Sequence, residues 1–493
     1  MTGIPPVVLD RASGTALSVQ LADALRAAAA GGALRPGDRL PSTRELAAAL
    51  RVSRTVTSAA YDQLLAEGWA GGRRGVGTFV LGAVPSTPAA PRPGRGPGAP
   101  APALVDLRAG SPCLEVLDRA AWRRAWRAAG DQPPDLRPDP AGDPAFRAAV
   151  GDHLLRHRGL VAGPDDVLAT AGTSAAVGEV ARILPPGSRV AVEDPGYSRA
   201  VAALRDAGIE VVPVPVDDDG LVVDALPGGL AAVYCTPAHQ FPTGRRMSAA
   251  RRLALVTRAR AEGWWVLEDD YDGELRFDVA PLPLLGALGP DVVVHLGTSS
   301  KILSPTLGVG WLVAPAPLRA DLLARRTATA IRPARAGQRV LAALAASGDL
   351  ARHLRRLRRE MAGRREQVRA AVAAAGCVAE GDPAGAHLVV QLADPATEEA
   401  VRADAARRGL ALDGLGRHHQ GNGPDRRAGL VLGFAAPTRA ELDRALPVLT
   451  AVLRAAGRGS GEHEHQPGQR DGQSQPQQHP ERTAPAPSVG PQP

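Results

Sequence analysis

Between about residues 104 and 455, short apolar segments alternate with alanine-rich segments of helical length. The apolar segments include RVAVED, AAVYCTP, WWVLEDD and VVVHLGT, and each is about as long as a buried strand, roughly 4 to 8 residues. Strands that alternate with helices along a chain form a parallel sheet with helices packed on its faces. The sequence therefore predicts an α/β domain with a mainly parallel sheet wrapped by helices.

Composition separates the rest of this 493-residue chain into three further segments. Residues 1–81 combine short helical patterns with a glycine-rich hairpin. Residues 82–103 are rich in proline, glycine and alanine, which predicts an extended linker. Residues 456–493 are rich in glutamine, proline, glycine and charge, which predicts a disordered tail. We therefore expect two folded domains, at 1–81 and 104–455.

No apolar run approaches the roughly 20 residues that a membrane-spanning helix needs, and the N-terminus lacks the basic start and apolar core of a secretory signal. The cysteines at 113, 235 and 377 form neither a CxxC pair nor a cluster with histidines at zinc spacing. We expect a cytoplasmic protein with no membrane contact and no metal site. The net charge of +7 permits a nucleic-acid partner without requiring one.

Residues 17–80 contain three helical patterns followed by the hairpin. Ser42 stands three residues before Glu45, which is a capping box and predicts the start of the second helix. Ser53 can cap a third helix whose exposed start carries Arg54 and hydroxyl side chains. Such residues suit a recognition helix that enters a major groove. A small helical domain without DNA-binding activity is the alternative.

The strings LPSTRELA, VSRTV, AYDQL and GTFV closely resemble the winged helix-turn-helix of the GntR family of bacterial regulators. The resemblance implies binding to double-stranded operator DNA, and a homodimer would reach two half-sites. It implies DNA contacts from Arg44, Ser53, Arg54, Thr55, Arg74 and Gly75.

Lys301, in the string GTSSK, is the only lysine in a chain with 58 basic residues. A lysine amine can lose its proton and attack an aldehyde, whereas a guanidinium stays protonated. An ordinary surface lysine is the alternative for this residue taken alone. Its position directly after the apolar strand VVVHLG favours imine chemistry with pyridoxal phosphate.

Other residue types that a pyridoxal phosphate pocket needs also follow apolar strands. Asp269 could pair with the pyridine nitrogen, although an aspartate after a strand is often only a solvated turn. Tyr197 could stack on the ring. The segment 172–174 begins a helix whose N-H groups and hydroxyls suit a phosphate.

In this order the strings TPAHQFPTG, EDDYDGELRF and GTSSK resemble the MocR/GabR subfamily, in which a fold-type I, aspartate aminotransferase-like domain follows a GntR-type winged helix. The resemblance covers about residues 15–455 and implies pyridoxal 5'-phosphate as the cofactor, bound as a Schiff base to Lys301. The other cofactor contacts that it implies are Asp269, Tyr271, Tyr197, Gly172, Thr173, Ser174, Thr298, Ser300, His239 and Gln240.

The sequence departs from that subfamily at three positions. Gly308 replaces an arginine that usually binds the cofactor phosphate, and Arg137 replaces a tyrosine that reaches the phosphate from the partner subunit. We predict that Arg137 restores the lost charge across a dimer interface, with loose cofactor binding as the alternative. Val431 replaces an arginine for a substrate carboxylate, and the nearest cations in sequence are Arg426 and Arg427.

These features favour a transcriptional regulator that senses pyridoxal phosphate, or an amine or amino-acid effector, through an imine at Lys301. One alternative is an active aminotransferase with an accessory DNA-binding domain, and a residual transaminase half-reaction stays open. Another is a DNA-binding dimer with a vestigial pocket. We favour the regulator because a catalyst has no evident use for residues 17–80.

Overall fold

The computed structural model describes residues 7–73, 75–81, 104–277, 283–421 and 426–459. The predicted linker at 82–103, Arg74 and the tail from 460 onward lie outside the described residues. The chain divides into two compact units, residues 1–101 and 102–493. Within the described ranges, no helix combines the length and the apolar character that crossing a membrane requires.

The small unit consists of three helices and an antiparallel hairpin. Its elements are α1 (Leu17–Ala30), α2 (Thr43–Leu50), α3 (Arg54–Ala66), β1 (Ala70–Arg73) and β2 (Gly77–Val80). The predicted capping box begins α2, because the Ser42 hydroxyl accepts from the Glu45 N-H at 3.2 Å and the Glu45 carboxylate accepts from the Ser42 N-H at 2.8 Å. The Ser53 hydroxyl caps α3 by accepting from the Val56 N-H at 3.4 Å.

The apolar faces of these helices meet in one core. The residues that repeat at helical spacing are the buried ones, and they include Leu21, Leu25, Leu46 and Leu64. Tyr61 joins this core, and its hydroxyl donates a 2.8 Å hydrogen bond to the Pro41 carbonyl at the entry to α2. This packing fixes α2 and α3 as a helix-turn-helix with the hairpin beside it.

The large unit is built around an eight-stranded sheet in the order β4-β11-β10-β9-β8-β5-β6-β7. Its strands are β4 (Val167–Thr170), β5 (Arg189–Asp194), β6 (Glu210–Asp217), β7 (Gly220–Leu221), β8 (Ala232–Cys235), β9 (Trp265–Asp270), β10 (Val293–Thr298) and β11 (Gly310–Val313). The central strands pair in parallel, and antiparallel pairs join β11 and β7 to the sheet. The predicted mainly parallel sheet is confirmed.

Smaller β-elements complete the large unit. A four-stranded antiparallel sheet has the order β12-β13-β16-β15, and β3 pairs in parallel with β14. Their bounds are β3 (Val105–Asp106), β12 (Ala379–Glu380), β13 (His387–Gln391), β14 (Leu410–Ala411), β15 (Asp413–Gly414) and β16 (Gly429–Gly433).

Helices cover the main sheet and extend beyond it. They are α4 (Arg119–Gly130), α5 (Pro144–Arg158), α6 (Thr173–Ala181), α7 (Ser198–Asp206), α8 (Ala249–Glu262), α9 (Leu285–Leu288), α10 (Ala316–Ala328), α11 (Arg335–Ala346), α12 (Asp349–Ala374), α13 (Pro395–Arg407) and α14 (Arg439–Gly459). The last helix continues past residue 455, where the sequence predicts the domain to end.

The topology brings the predicted site residues to one edge of the sheet. Tyr197 follows β5, Lys301 follows β10, and Asp269 stands at the end of β9. Because these strands run parallel, their carboxyl ends lie at the same edge, where α/β proteins commonly bind ligands.

Candidate functional site

A cavity of about 350 Å³ opens at this edge of the large unit. Its walls come from the loops after the central strands, from the segment after β3, and from β13. The predicted residues that line it are Thr173, Tyr197, Asp269, Tyr271 and Lys301. The cavity therefore contains an amine, a buried carboxylate and two phenol rings within one space.

Asp269 is the buried carboxylate of this cavity, with 2% of its surface exposed. Its Oδ2 accepts a 2.6 Å hydrogen bond from the hydroxyl of Tyr234, and its Oδ1 has no hydrogen-bond partner among the described residues. Burial raises the pKa of Asp269 to about 7, and the Tyr234 hydrogen bond opposes that rise. Asp269 thus keeps one oxygen available for a donor that enters the cavity.

Lys301 provides the amine. Its Nζ donates to the backbone carbonyl of Gly110, in the loop after β3. Burial lowers the pKa of Lys301, the nearby charge of Arg199 lowers it further, and the carboxylates of Asp269 and Asp272 oppose this effect. A lowered pKa increases the fraction of neutral, nucleophilic amine at a given pH.

Tyr197 and Tyr271 form part of the cavity wall around Phe241. The Tyr197 ring meets the Phe241 ring edge-on at 5.7 Å between centroids, and the Tyr271 ring meets it edge-on at 6.1 Å. The Tyr271 hydroxyl donates a 2.9 Å hydrogen bond to the His239 carbonyl. Both phenol rings are therefore held by neighbours in the wall.

The predicted phosphate-binding residues group beside Thr173, which begins α6. Gly172 adopts a φ of +128°, a conformation that favours glycine, and a side chain there would approach the Thr298 hydroxyl at 3.8 Å. The Thr298 hydroxyl lies 3.1 Å from that of Ser300, and the Ser174 hydroxyl lies 3.4 Å from that of Tyr197. Of these residues Thr173 lines the cavity, and the hydroxyls of the others lie beside it near the start of α6.

His239 and Gln240 do not line the cavity. The His239 ring is buried, with Nδ1 2.9 Å from the Asp272 carboxylate, and the Gln240 amide donates to Glu193 and to the Pro195 carbonyl. His239 therefore lies next to Tyr271, whereas Gln240 is held against the end of β5. Their predicted position beside a cofactor ring stays a prediction.

His239, Asp272 and His387 bring atoms of metal-ligand type within 4.8 Å of one another. His239 Nδ1 and the Asp272 carboxylate are hydrogen-bonded to each other, and His387 Nε2 lies 3.1 Å from the Pro242 carbonyl. These contacts hold the wall behind Tyr271.

Asp270, next to Asp269, has a different environment. Arg158 binds it with two hydrogen bonds, Nε to Oδ2 at 2.6 Å and Nη2 to Oδ1 at 2.8 Å. Both side chains are almost fully buried. Asp270 is therefore an internal ion-pair partner, and Asp269 is the carboxylate of the cavity.

The small unit presents its predicted DNA contacts at the starts of two helices. Arg44 is exposed near the start of α2, and Ser53, Arg54 and Thr55 are exposed at the start of α3. The Thr57 hydroxyl donates a 2.9 Å hydrogen bond to the Thr43 carbonyl, which ties the two helices together. Gly75 is exposed between β1 and β2 with a φ of +76°, while Arg74 lies outside the described residues.

Known families match both units. Residues 17–80 match the model for bacterial regulatory proteins of the gntR family, and residues 102–446 match the model for aminotransferase class I and II. The chain is 36% identical over 442 residues to the HTH-type pyridoxine biosynthesis transcriptional regulator PdxR of Corynebacterium glutamicum, covering 87% of this chain and 94% of that protein. It is 31% identical over 457 residues to the probable rhizopine catabolism regulatory protein MocR of Rhizobium meliloti, covering 87% and 92%.

The chain belongs to the MocR/GabR-type transcriptional regulators. Among solved structures, the Pyrococcus horikoshii kynurenine aminotransferase matches with a TM-score of 0.65 at 24% identity, over 72% of this chain and 91% of that chain. This likeness confirms the predicted fold-type I architecture of the large unit.

The structure locates each departure from the MocR/GabR pattern. Arg137 is exposed and does not line the cavity of its own protomer, so its predicted role across a dimer interface stays a prediction. Gly308 has a φ of +56° and open space where a side chain would extend. Val431 is fully buried in β16, where it packs with Val389 and Leu415.

The cations of the cavity are not those nearest to Val431 in sequence. Arg426 donates to the Gly416 carbonyl, and Arg427 donates to Glu380 at 3.0 Å. The arginines that line the cavity are Arg108, Arg199 and Arg417. None of these three arginines was predicted from the sequence, although Arg199 stands two residues after Tyr197, at the start of α7.

These cavity arginines differ in their partners. Arg108 binds Asp106 at 2.9 Å, and Arg417 binds Asp413 at 2.6 Å. Among the described residues, Arg199 forms no ion pair with a carboxylate. Arg199 is therefore the cavity cation best able to accept an added anion.

Proposed function

We propose that this chain is a DNA-binding regulator whose aminotransferase-like domain binds pyridoxal 5'-phosphate and senses that cofactor, or an amine or amino-acid effector, through Lys301. The observation that carries the proposal is the unpartnered Oδ1 of Asp269 in the cavity that also contains the Lys301 amine. A buried carboxylate oxygen without a donor is costly. A protonated pyridine nitrogen would provide that donor.

The residues of the cavity fit this cofactor. Pyridoxal phosphate supplies an aldehyde that reacts with primary amines and a ring that withdraws electrons. Asp269 would hold the ring nitrogen, and Tyr197 and Tyr271 would bound the ring. Gly172, Thr173, Ser174, Thr298 and Ser300 would hold the phosphate, using the start of α6.

Lys301 acts as the amine in this proposal. Its hydrogen bond to Gly110 orients Nζ, and its lowered pKa favours the neutral form that an aldehyde requires. Arginine at this position would stay protonated and could not react. Lys301 is thus the residue through which an aldehyde is held or released.

The surroundings of the cavity favour sensing of an anionic amine over efficient transamination. Val431 cannot bind a carboxylate, because it is apolar and buried in the core. Arg199 could contribute a charge to an effector carboxylate from another wall. A change in DNA binding by the small unit would be the response to the effector, and an enzyme has no need of such a unit.

DNA binding is proposed to use the starts of α2 and α3. Arg44 and Arg54 would contact phosphates or base edges, with Ser53 and Thr55 beside them, and Arg74 and Gly75 would act at the hairpin tip. A homodimer would place two such units on operator half-sites. Because these arginines neutralise phosphate charges, the affinity for DNA should fall as the salt concentration rises.

The experiment compares cofactor binding by the full chain with binding by two variants. Wild type mixed with pyridoxal phosphate and reduced with borohydride should gain, on the peptide that contains Lys301, the mass of the cofactor less the water lost in forming the imine and plus the two hydrogens added by reduction. Lys301→Arg should gain none, and Asp269→Asn should bind more weakly. No specific labelling of wild type would refute cofactor binding. Sustained turnover of an amino acid with a keto acid at ordinary enzyme rates would instead favour the aminotransferase.

A further inference from the structure

The hairpin of the small unit has a face that carries two arginines, Arg39 and Arg73, which are not among the predicted DNA contacts. Arg39 forms an antiparallel bridge with Phe79, and within the hairpin Arg73 pairs with Gly77. Paired residues of antiparallel strands point to the same face, as do residues two apart on one strand. Arg39, Arg73 and Phe79 therefore share one face, and the buried pair Ala70 and Val80 lies on the other.

Both guanidinium groups are held in place without a carboxylate. Arg39 Nε lies 2.9 Å from the position that a side chain on Gly77 would occupy, and Arg73 lies over the Phe79 ring at 5.0 Å from its centroid. Within the described part of the small unit, the ion pairs are those of Arg26 with Asp23 and Glu67. Neither Arg39 nor Arg73 forms an ion pair within the described part of the small unit, so both keep guanidinium donors beside the glycines of the hairpin.

The chemistry of this face suits a phosphodiester. Guanidinium groups bind phosphate oxygens with paired donors, and glycines allow a backbone to approach closely. Residues 1–81 contain nine arginines and six acidic residues, so the unit attracts a polyanion. The partner with phosphates at regular spacing is DNA, which the neighbouring α3 is proposed to bind.

We propose that Arg39 and Arg73 bind the DNA sugar-phosphate backbone beside the site read by α3. This inference rests on the proposed DNA-binding function and adds residues outside the predicted set. Because phosphates are the same at every base pair, these contacts contribute to affinity on all sequences alike.

The test measures DNA affinity of the full chain by fluorescence anisotropy across a series of salt concentrations, on operator DNA and on a random duplex. Arg39→Gln and Arg73→Gln should each reduce the salt slope by about 1 per protomer, which is about 2 for the proposed dimer, and weaken binding at least about tenfold at 0.1 M salt on both duplexes. Arg39→Lys should keep most of the slope, because it keeps the charge. The matched control is Arg26→Gln, whose arginine already has acidic partners.

The binding of wild type tests the proposed DNA-binding function, and the behaviour of the variants tests the backbone contacts of Arg39 and Arg73. Wild type that binds no DNA would refute the proposed function itself. If wild type binds, an Arg39→Gln slope equal to that of the Arg26→Gln control would overturn the inference. A loss on operator DNA alone would also overturn it, since backbone contacts do not distinguish sequences.

A second, independent observation concerns Tyr234, which the sequence analysis did not single out. It lies within β8 with 1% of its surface exposed, and its hydroxyl donates to Asp269 Oδ2 at 2.6 Å. This hydrogen bond occupies one carboxylate oxygen and leaves Oδ1 as the free one. It also restricts the orientation of the Asp269 carboxylate within the cavity.

We infer that Tyr234 is a positioning residue that orients Asp269 for the cofactor ring. The inference rests on the proposed binding of pyridoxal phosphate. Tyr234→Phe keeps the buried ring and removes only the donor. The pKa of Asp269 should then rise above about 7, because the hydrogen bond that opposes burial is lost.

The readouts are the cofactor's dissociation constant and the pH at which its absorbance spectrum changes. Tyr234→Phe should weaken binding at least about tenfold and move the spectral midpoint to higher pH. Tyr61→Phe, which removes a buried phenol hydroxyl from the small unit, should leave both unchanged. Unchanged values in Tyr234→Phe would overturn the inference, whereas wild type without cofactor binding would instead refute the proposed function.

Discussion

Replacing Arg158 with methionine should strongly destabilise the large unit. Arg158 and Asp270 form a bidentate ion pair with side chains 1% and 3% exposed, and Arg158 also donates to the Gly273 carbonyl at 3.2 Å. Methionine fills a similar volume but leaves Asp270 buried without its partner. Breaking a buried pair from one side costs about 3 to 5 kcal/mol.

The same helix provides a matched control. Arg156 and Asp152 form an ion pair one turn apart at 3.0 Å, but their side chains are 71% and 67% exposed. Such pairs contribute at most about 0.5 kcal/mol, so Arg156→Met should change stability little. The two substitutions therefore differ in burial of the pair and not in residue type.

Urea unfolding followed by tryptophan fluorescence measures this difference, since five of the six tryptophans lie in the large unit. Arg158→Met should lower the unfolding midpoint far more than Arg156→Met does. The double variant Arg158→Met with Asp270→Asn should recover part of the loss, because no buried charge is left unpaired. A loss below about 1 kcal/mol in Arg158→Met would refute the assignment of Asp270 as an internal ion-pair partner.

Two further predictions concern Asp269 and the start of α2. Burial raises the pKa of Asp269 to about 7 from an ordinary value of about 3.9. The cofactor-free folded protein therefore binds this proton more tightly than the unfolded chain does. Its free energy of unfolding should fall as the pH rises from about 4 to 7. Asp269→Asn should flatten that decline in thermal melts at stepped pH, and an unchanged decline would contradict the pKa shift. Ser42→Ala removes the hydroxyl that accepts from the Glu45 N-H and keeps the backbone N-H that donates to the Glu45 carboxylate. The loss should cost the small unit about 1 kcal/mol, measured by its melting temperature, whereas Ser58→Ala, at a serine that caps no helix, should cost less.

Local patterns predicted the elements that position the site. The capping serines Ser42 and Ser53 begin helices as expected, because a cap depends on residues three apart. The alternation of strands and helices predicted the parallel sheet. Parallel strands then bring Asp269 and Lys301 to one edge, so their common location followed from their positions after strands.

Residues whose role depends on register or on distant partners could not be predicted in this way. Tyr234 resembles any aromatic residue of a buried strand, and its contact with Asp269 arises only because β8 and β9 pair with Tyr234 beside Leu267. The hydrogen bonds of His239 to Asp272 and of Gln240 to Glu193 likewise join residues 33 and 47 positions apart, which local patterns do not predict.

The central claim is that the state of Lys301 controls DNA binding. The most direct measurement is a footprint on the intergenic DNA next to the gene that encodes this protein. It compares wild type with Lys301→Arg, each with and without pyridoxal phosphate. The account predicts that both proteins protect DNA and that pyridoxal phosphate changes the protection by wild type alone. An equal response of the two proteins, or no response in wild type, would contradict it.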